Sequence, residues 1–292
     1  EWLNAMTVGQ IINYDPAPQT YALPAEHAAF LTRAAQADNL ATIFQHIPSL
    51  ALVEDAIVGC FTAGGGVPYS AFTRFHTVMA EDSSQSVVGV LDDHILPTVP
   101  GLIDRLAAGI SVLDVGCGQG RAISKLARLF PMSQFIGYDV CPDVIAAATA
   151  QASGLANLRF QVKDAAQIDD VERYDLITTF DAIHDQAHPD VVLRNIYTAL
   201  RRDGGIYLMQ DIRASSQVDQ NLDHPFAPFL YTISCMHCMT VSLSAGGMGL
   251  GTMWGRGQAL ELLHEAGFGS IERKELPHDP INDYYIIRKE AA

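Results

Sequence analysis

Three aspartates in the middle of the chain each stand at or near the end of a short apolar run. The runs are SVLDVG with Asp114, QFIGYDV with Asp139 and LRFQVKD with Asp164. If these runs are strands of one parallel sheet, their carboxyl ends share the edge at which such sheets bind ligands. One such aspartate alone is usually a solvated loop residue or a helix cap. The three together predict a ligand site with three carboxylates at that edge.

A glycine-rich stretch follows the first run, and it contains Gly116, Cys117, Gly118 and Gly120. Missing side chains let a ligand approach the backbone closely. A dinucleotide site needs G-x-G-x-x-G to seat a pyrophosphate, but here the third glycine comes one residue early and Arg121 takes its place. The negative charge of Asp114 would repel a pyrophosphate and attract a cationic group such as an ammonium or a sulfonium. Asp139, nineteen residues after Gly120, suits the two hydroxyls of a ribose.

The run YDLITTFDAIHD brings a second kind of chemistry to the same predicted edge. Asp181 and His184 lie three residues apart after its apolar part, so one turn would place both near one opening. The ordinary pKa of histidine lies near physiological pH, so His184 is the preferred general base and Asp181 the second candidate. The alternative, a histidine that caps or packs against the start of a helix, fits the sequence equally well.

From residue 110 onward the chain alternates apolar strands with helices, which predicts an α/β fold with a doubly wound, mostly parallel sheet. The predicted strands are 111–116, 134–140, 158–164, 174–183 and 204–212. The predicted helices are 121–130, 142–153, 188–201 and 257–266. Residues 270–276 and 283–289 alternate like two antiparallel strands joined by a loop. LPHDPINDYY, which joins them, is either a structured loop near the pocket or merely a connection, and we favour the connection.

Residues 1–100 form a helical region that we separate from a second domain at 101–292. EWLNAM reads as a helix and residues 11–23 as a hairpin, an order typical of the second half of a winged helix. Segments 26–35, 38–60, 69–79 and 87–96 are predicted to be helical. The first residue is Glu within a helix, so we expect a preceding segment.

Charge argues against nucleic acid as a partner, because phosphate contacts need clustered Lys and Arg. The net charge is −15, and no Lys precedes Lys125. We therefore predict dimerisation or coverage of the site, rather than DNA binding, for the N-terminal region. The sequence also predicts no membrane span and no signal segment.

The five cysteines are scattered, odd in number and set among apolar residues, which favours reduced thiols in a cytoplasm. Cys235 and Cys238 form a C-x-x-C, but a zinc site of that kind needs a second pair, so we predict no metal. A site in which these two thiols and that of Cys60 together bind arsenite is an alternative. The surrounding segment 224–239 is either a wall of the ligand pocket or a buried helix.

The order and spacing of these motifs resemble those of class I S-adenosylmethionine-dependent methyltransferases. VLDVGCGQGR, FIGYDVCPDV, QVKDAAQI, YDLITTFDAIHD and LRRDGGIYLMQD carry the resemblance, which covers residues 110–290. It implies a seven-stranded sheet with an antiparallel last strand, and S-adenosylmethionine as cofactor. The N-terminal region resembles the winged-helix module of bacterial small-molecule methyltransferases, without the first part of that module.

The resemblance assigns roles to individual residues. Gly116, Gly118 and Gly120 would surround the methionine part of the cofactor, with Asp114 beneath them and the Cys117 thiol beside it. Asp139 would bind the ribose, Asp164 and Ala165 the adenine, and Phe180 with Asp181 would line the reactive end. The remaining cofactor-binding and substrate-pocket candidates are Val140, Tyr69, Phe72, His237 and Trp254.

We therefore expect O- or N-methylation of a small, partly apolar acceptor by a cytoplasmic homodimer. An arsenite methyltransferase that uses the thiols of Cys60, Cys235 and Cys238 is an alternative within the same family. Two other classes stay open. A dehydrogenase would bind NAD(H) at the glycine loop, and a winged-helix transcriptional regulator would sense S-adenosylmethionine in the same pocket.

Overall fold

A computed structural model describes residues 1–289, without the side chains of residues 36 and 37. Helices α1–α7 are Trp2–Val8, Ala25–Leu31, Ala41–Phe44, His46–Ala51, Glu54–Ala63, Phe75–Ser86 and Leu102–Ala108. Helices α8–α13 are Arg121–Leu129, Pro142–Gln151, Pro189–Ala199, Ala227–Ile233, Met239–Ser244 and Gly255–Glu265. Strands β1–β9 are Asn13–Asp15, Thr20–Ala22, Ser111–Val115, Gln134–Asp139, Leu158–Val162, Leu176–Phe180, Ile206–Ile212, Ser270–Lys274 and Asn282–Arg288.

Seven strands form one sheet in the order β5-β4-β3-β6-β7-β9-β8. The first five run parallel, whereas β9 is antiparallel to both β7 and β8. The predicted doubly wound sheet with an antiparallel last strand is confirmed. Because the order reverses between β3 and β6, the carboxyl ends of β3, β4 and β6 open on one crevice.

Apolar side chains cover both faces of this sheet. On one face Leu113 and Val115 of β3 pack with Val192 and Ile196 of α10 and with α13. On the other face their neighbour Val112 packs with α7 and α8. Alternate side chains of a strand point to opposite faces, so one buried strand supplies both cores. Burial of apolar surface stabilises the fold by about 25 cal/mol per Å². It therefore holds in place the strands whose ends carry the polar residues.

The N-terminal hairpin is confirmed, since β1 and β2 pair antiparallel from Asn13–Ala22 to Asp15–Thr20. It lies between α1 and α2, and none of the residues in these four elements is buried. The domain division at residue 100 stays a prediction. Side chains of residues 87–99 share a core with the sheet, so the helical region and the sheet are in close contact there.

The predicted helix 38–60 is wrong as one element, because α3, α4 and α5 are separate helices. Pro48 explains the first break: it has no N–H for the carbonyl of Phe44, and its ring clashes with that carbonyl. The predicted helix 69–79 is a 3₁₀ turn, Tyr69–Ala71, followed by α6. The predicted helix 87–96 is a short run of 3₁₀ and π turns.

Within residues 1–289, no individual helix combines the length and hydropathy of a membrane span. A pair bent by 60°, Ala41–Ala51 with Glu54–Ala63, meets those criteria only when its two parts are counted together.

Candidate functional site

A cavity of about 310 Å³ lies at the carboxyl edge of β3, β4 and β6. The loops after β3 and β6 form its floor, and α6 and α11 form two of its walls. The loop between β8 and β9 closes a further side. The cavity therefore joins residues from both ends of the chain.

The glycine loop forms part of the floor of the cavity. Its glycines have left-handed backbone, and at two of them a side chain would collide with a neighbouring residue. Gly116, Gly118 and Gly120 have φ of +70°, +53° and +68°. A Cβ on Gly120 would lie 2.3 Å from Cζ of Phe160, and one on Gly116 would lie 2.7 Å from Cβ of Ala182. At Gly118 a Cβ would meet nothing within 4 Å, so this residue presents bare backbone to the cavity.

The carboxylate of Asp139 ties this loop to the next strand. Its Oδ2 accepts a hydrogen bond from the Gly118 N–H at 2.9 Å, and its Oδ1 accepts one from the Cys141 N–H at 2.9 Å. Each oxygen keeps acceptor capacity, so this cavity-lining group can also receive two hydroxyls. Val140, the residue after β4, is 59% exposed and lies outside the cavity lining.

Asp114 lies below the loop and is buried with 3% exposure. Its Oδ1 accepts a hydrogen bond from the Thr178 hydroxyl at 2.7 Å. Burial raises the pKa of Asp114 to about 7, although the Thr178 hydrogen bond opposes this effect and the charge of Asp139 adds to it. A ligand cation beside Asp114 would stabilise the ionised form.

The third predicted carboxylate does not reach the cavity. Asp164 accepts hydrogen bonds from the Ala166 N–H at 2.9 Å and from the Gln167 amide at 3.3 Å, and so caps a 3₁₀ turn. Ala165 is buried in the core beneath the sheet. An adenine-binding role for Asp164 and Ala165 stays a prediction.

His184 is fixed between two carboxylates. Its Nδ1 lies 2.7 Å from Oδ1 of Asp211, and its Nε2 lies 3.3 Å from Oδ1 of Asp185. Burial lowers the pKa of His184, but the charges of Asp211 and Asp185 together raise it well above the ordinary value. Oδ1 of Asp211 also accepts the indole N–H of Trp254 at 2.9 Å. Trp254, predicted to line the pocket, is instead buried behind Asp211 and does not line the cavity.

Asp181 reaches the cavity with Phe180 and has an unusual backbone. Its φ of +51° is left-handed, which aspartate adopts more readily than most residues. Its Oδ1 is buried without a hydrogen-bond partner among the described residues. Burial raises the pKa of Asp181 well above its usual range, and the charge of Asp211 adds to this. His184 is held in place by Asp211, whereas Oδ1 of Asp181 has no partner in the described part of the chain, so the geometry favours His184 as the base.

An aromatic wall separates two of the predicted pocket residues from the cavity. Tyr69 lines the cavity and stacks on His76 with ring centroids 4.8 Å apart. His237 stacks on Phe75 at 3.4 Å and meets the edge of Phe72 at 4.6 Å. Burial lowers the pKa of His237 to about 4, so its ring is neutral. Phe72 and His237 belong to this packing and do not line the cavity.

The sequence left the role of two other segments open or assigned it differently. Phe226, Phe229, Leu230 and Ile233 line the cavity, so the segment 224–239 is a pocket wall. Residues 278–282 join the last two strands and also line the cavity, so the expectation of a mere connection was wrong. Asp211 and Asp185 were missed as well. Asp211 ends the apolar run IYLMQD, the same signal that identified Asp114 and Asp139.

Two sets of side chains around His184 have potential metal ligands within 4.8 Å of one another: Asp185 with Cys238, and Asp181 with Asp211. The absence of a metal stays a prediction. Cys238 lines the cavity, whereas Cys60 and Cys235 pack against an apolar cluster outside the cavity lining. The three thiols of the arsenite alternative therefore do not meet at the described cavity.

Comparison with known families and curated proteins matches both regions of the chain. A family model described as a methyltransferase domain matches residues 106–267, and one described as an Rv2258c-like winged HTH domain matches residues 1–33. Malonyl-[acyl-carrier protein] O-methyltransferase of Bacillus cereus is 27% identical over 161 residues, 53% of this chain and 55% of that protein. A mitochondrial ubiquinone biosynthesis O-methyltransferase of Candida albicans is 30% identical over 105 residues, which cover 35% of this chain and 32% of that protein. The chain thus spans about half or less of these relatives.

Solved structures extend the likeness to the whole architecture. An O-methyltransferase family protein from Burkholderia thailandensis superimposes with a TM-score of 0.72 at 13% identity, covering 99% of this chain and 83% of that one. Human N-acetylserotonin methyltransferase in complex with SAM gives a TM-score of 0.68 at 18% identity, and the match covers 99% of this chain and 81% of that one. At these identities the likeness establishes the fold.

Proposed function

Because the chain belongs to the methyltransferase-domain family, we propose that it transfers a methyl group from S-adenosylmethionine to a small, partly apolar acceptor. O- or N-methylation is the form we favour. One observation carries the proposal: the bare glycine loop, the strand-end carboxylate of Asp139 and the His184–Asp211 pair belong to one site.

The residues of the loop fit such a cofactor. Gly118 offers backbone without a side chain, Asp139 offers two carboxylate oxygens, and Asp114 offers a buried carboxyl whose ionisation a cation would favour. A sulfonium nucleoside carries the matching groups, namely two ribose hydroxyls and a positive charge. Its bound form supplies an electrophilic methyl group.

His184 would remove the proton of the acceptor. An ionised Asp211 can only accept a hydrogen bond, so it selects the tautomer with the proton on Nδ1. Nε2, which lies 3.3 Å from Oδ1 of Asp185, is then the nitrogen that takes a proton from a hydroxyl or amine. Asp211 stabilises the resulting imidazolium, and the apolar wall of α11 excludes water.

Calorimetry with S-adenosylhomocysteine and with NAD(H) tests this cofactor assignment directly. We expect binding of the first alone, and binding of NAD(H) alone would support the dehydrogenase alternative. An acceptor screen that detects S-adenosylhomocysteine release then tests the activity, with His184→Ala as the matched inactive variant. Full turnover by that variant would exclude His184 as the base.

We also propose that the chain is a homodimer that works in the cytoplasm. The support is apolar surface on the N-terminal region: Trp2 is 71% exposed, Phe30 51% and Phe61 79%. All five cysteines are free, as thiols in a reducing compartment are. Light scattering tests the assembly, and a monomer with and without cofactor would contradict it. A gel shift with generic DNA at low salt tests the regulator alternative.

A further inference from the structure

The charges on the cavity wall are almost all negative. Asp82 on α6, Asp181 after β6 and Asp279 before β9 come from three distant parts of the chain and line one cavity. Among its described lining residues Arg121 is the only Arg or Lys, and it donates hydrogen bonds to the Ala80 carbonyl and to Gln119. These bonds hold Arg121 against α6 and the glycine loop, on the side that we assign to the cofactor.

The three carboxylates are near enough to act on one another. The charges of Asp279 and Asp82 both raise the pKa of Asp181, after the larger effects of burial and Asp211. Asp279 also raises the pKa of Asp82, where burial is the main cause. Together they create a region of negative potential beside His184, in which a positive charge is stabilised.

Asn282 gives independent support for a hydrogen-bond donor on the ligand. This residue lines the cavity and is 5% exposed. Its amide nitrogen donates to both oxygens of Asp279, at 3.3 and 3.0 Å, so its Oδ1 must point away from that carboxylate. Oδ1 has no hydrogen-bond partner among the described residues. A buried acceptor without a donor is costly, and a ligand N–H would satisfy it.

Asp279 is rigid enough to keep Asn282 in this orientation. Its carboxylate accepts the backbone N–H of Ile281 at 3.1 Å and the hydroxyl of Tyr284 at 2.7 Å, besides the Asn282 amide. Asp181 has a buried Oδ1 that is likewise without a partner. Oδ1 of Asn282 and Oδ1 of Asp181 are thus two buried acceptors without a protein donor among the residues described, in a cavity that the apolar side chains of α11 also line.

Resting on the proposed function, we propose that the methyl acceptor is an apolar molecule that carries a protonated amine. The amine donates hydrogen bonds to Asp181 and Asn282, while Asp82 and Asp279 supply further negative potential. The apolar body lies against Phe229, Leu230 and Ile233. A carboxylate at the same position would lie among Asp82, Asp181 and Asp279, with neither Lys nor Arg on that side of the described cavity lining, so carboxylic acids are poor ligands.

Three aryl probes that differ only in charge test this inference on the full chain saturated with S-adenosylhomocysteine. They are tyramine, 2-(4-hydroxyphenyl)ethanol and 4-hydroxyphenylacetate, measured by calorimetry. We expect tyramine to bind about ten-fold or more tightly than the alcohol, and the acid to bind most weakly. Equal binding of amine and alcohol, no binding of any probe, or preference for the acid would overturn the inference. Failure of S-adenosylhomocysteine to bind would instead contradict the proposed function.

Two variants test which carboxylates cause the preference for the amine over the alcohol. Asp181→Asn keeps a residue that tolerates left-handed backbone, and Asp82→Asn changes a helical position, so both are compatible with the fold. Each should reduce the advantage of tyramine over the alcohol several-fold. Asp93→Asn removes the same charge at an exposed position outside the cavity lining and should keep that advantage. An unchanged advantage in both cavity variants, with native thermal unfolding, contradicts the inference.

Discussion

Nδ1 of His184 and Oδ1 of Asp211 lie 2.7 Å apart, and the indole N–H of Trp254 holds the same oxygen from the other side at 2.9 Å. The imidazole therefore cannot rotate without losing a buried charge-assisted hydrogen bond. The catalytic consequence is a fixed tautomer, with Nε2 as the nitrogen that accepts a proton.

Loss of that carboxylate should impair catalysis more than it impairs cofactor binding. Asp211→Asn keeps the shape but removes the charge that selects the tautomer, so kcat should fall by about 10²–10⁴. Trp254→Phe removes only the supporting N–H and should cost far less. Release of S-adenosylhomocysteine measures kcat, and calorimetry measures cofactor affinity. A native kcat in Asp211→Asn would show that the pair is structural.

The pH dependence of the reaction should follow His184. Its pKa is raised well above 6.5, and only the neutral imidazole is a base, so kcat should rise with pH through a value above 6.5. Asp211→Asn removes the largest charge effect that raises this pKa, so the same limb should move to lower pH. A kcat–pH profile of both proteins checks the direction. A native limb at or below 6.5, or no shift in the variant, contradicts the assignment.

Asp114 should make stability depend on pH. Burial raises its pKa to about 7 from 3.8, so the folded chain retains a proton that the unfolded chain releases. Its contribution to stability is complete below about pH 4 and is lost as the pH rises to about 7, by about 4 kcal/mol. Thermal unfolding at pH 5 and pH 8 measures this loss, which should disappear in Asp114→Asn. An equal loss in that variant would assign it to other groups.

Gly120→Ala should unfold at a lower temperature and lose cofactor affinity. The new Cβ would lie 2.3 Å from the ring of Phe160, in backbone with φ of +68°. Gly154→Ala is the control, since its φ is +96° but its Cβ would meet nothing within 4 Å. Both variants bear the left-handed penalty of about 1–2 kcal/mol, and only the first adds a clash. Equal effects on cofactor affinity, measured by calorimetry, would contradict the role of the loop.

Chelation should leave methyl transfer unchanged. His184 lies within two sets of potential metal ligands, but the proposed proton transfer needs no metal. Treatment with EDTA, followed by the S-adenosylhomocysteine release assay, tests this prediction. A loss of activity that a divalent cation restores would make these side chains metal ligands.

The sheet could be predicted because each strand combines an apolar run with a polar residue at its end. Asp114 and Asp139 follow this rule and line the cavity, whereas Asp164 follows it and caps a turn. This pattern identifies the ends of strands, but it does not show which of these residues lie at the same cavity. For that reason Asp211, which contacts His184, was not selected. Asn282 and Asp82 could not be found this way, because the first lies at the start of a strand and the second on a separate helix.

Helix α6 forms part of the wall at both ends of the cavity. Near its start, His76 stacks on Tyr69 and lies within range of the charge of Asp139. Further along, Asp82 faces the charge of Asp279, and the carbonyl of Ala80 binds Arg121 beside the glycine loop. Helix α6 therefore lines both the part of the cavity that we assign to the cofactor and the part that we assign to the acceptor. We expect each reactant to change the affinity of the protein for the other, because both contact the same helix.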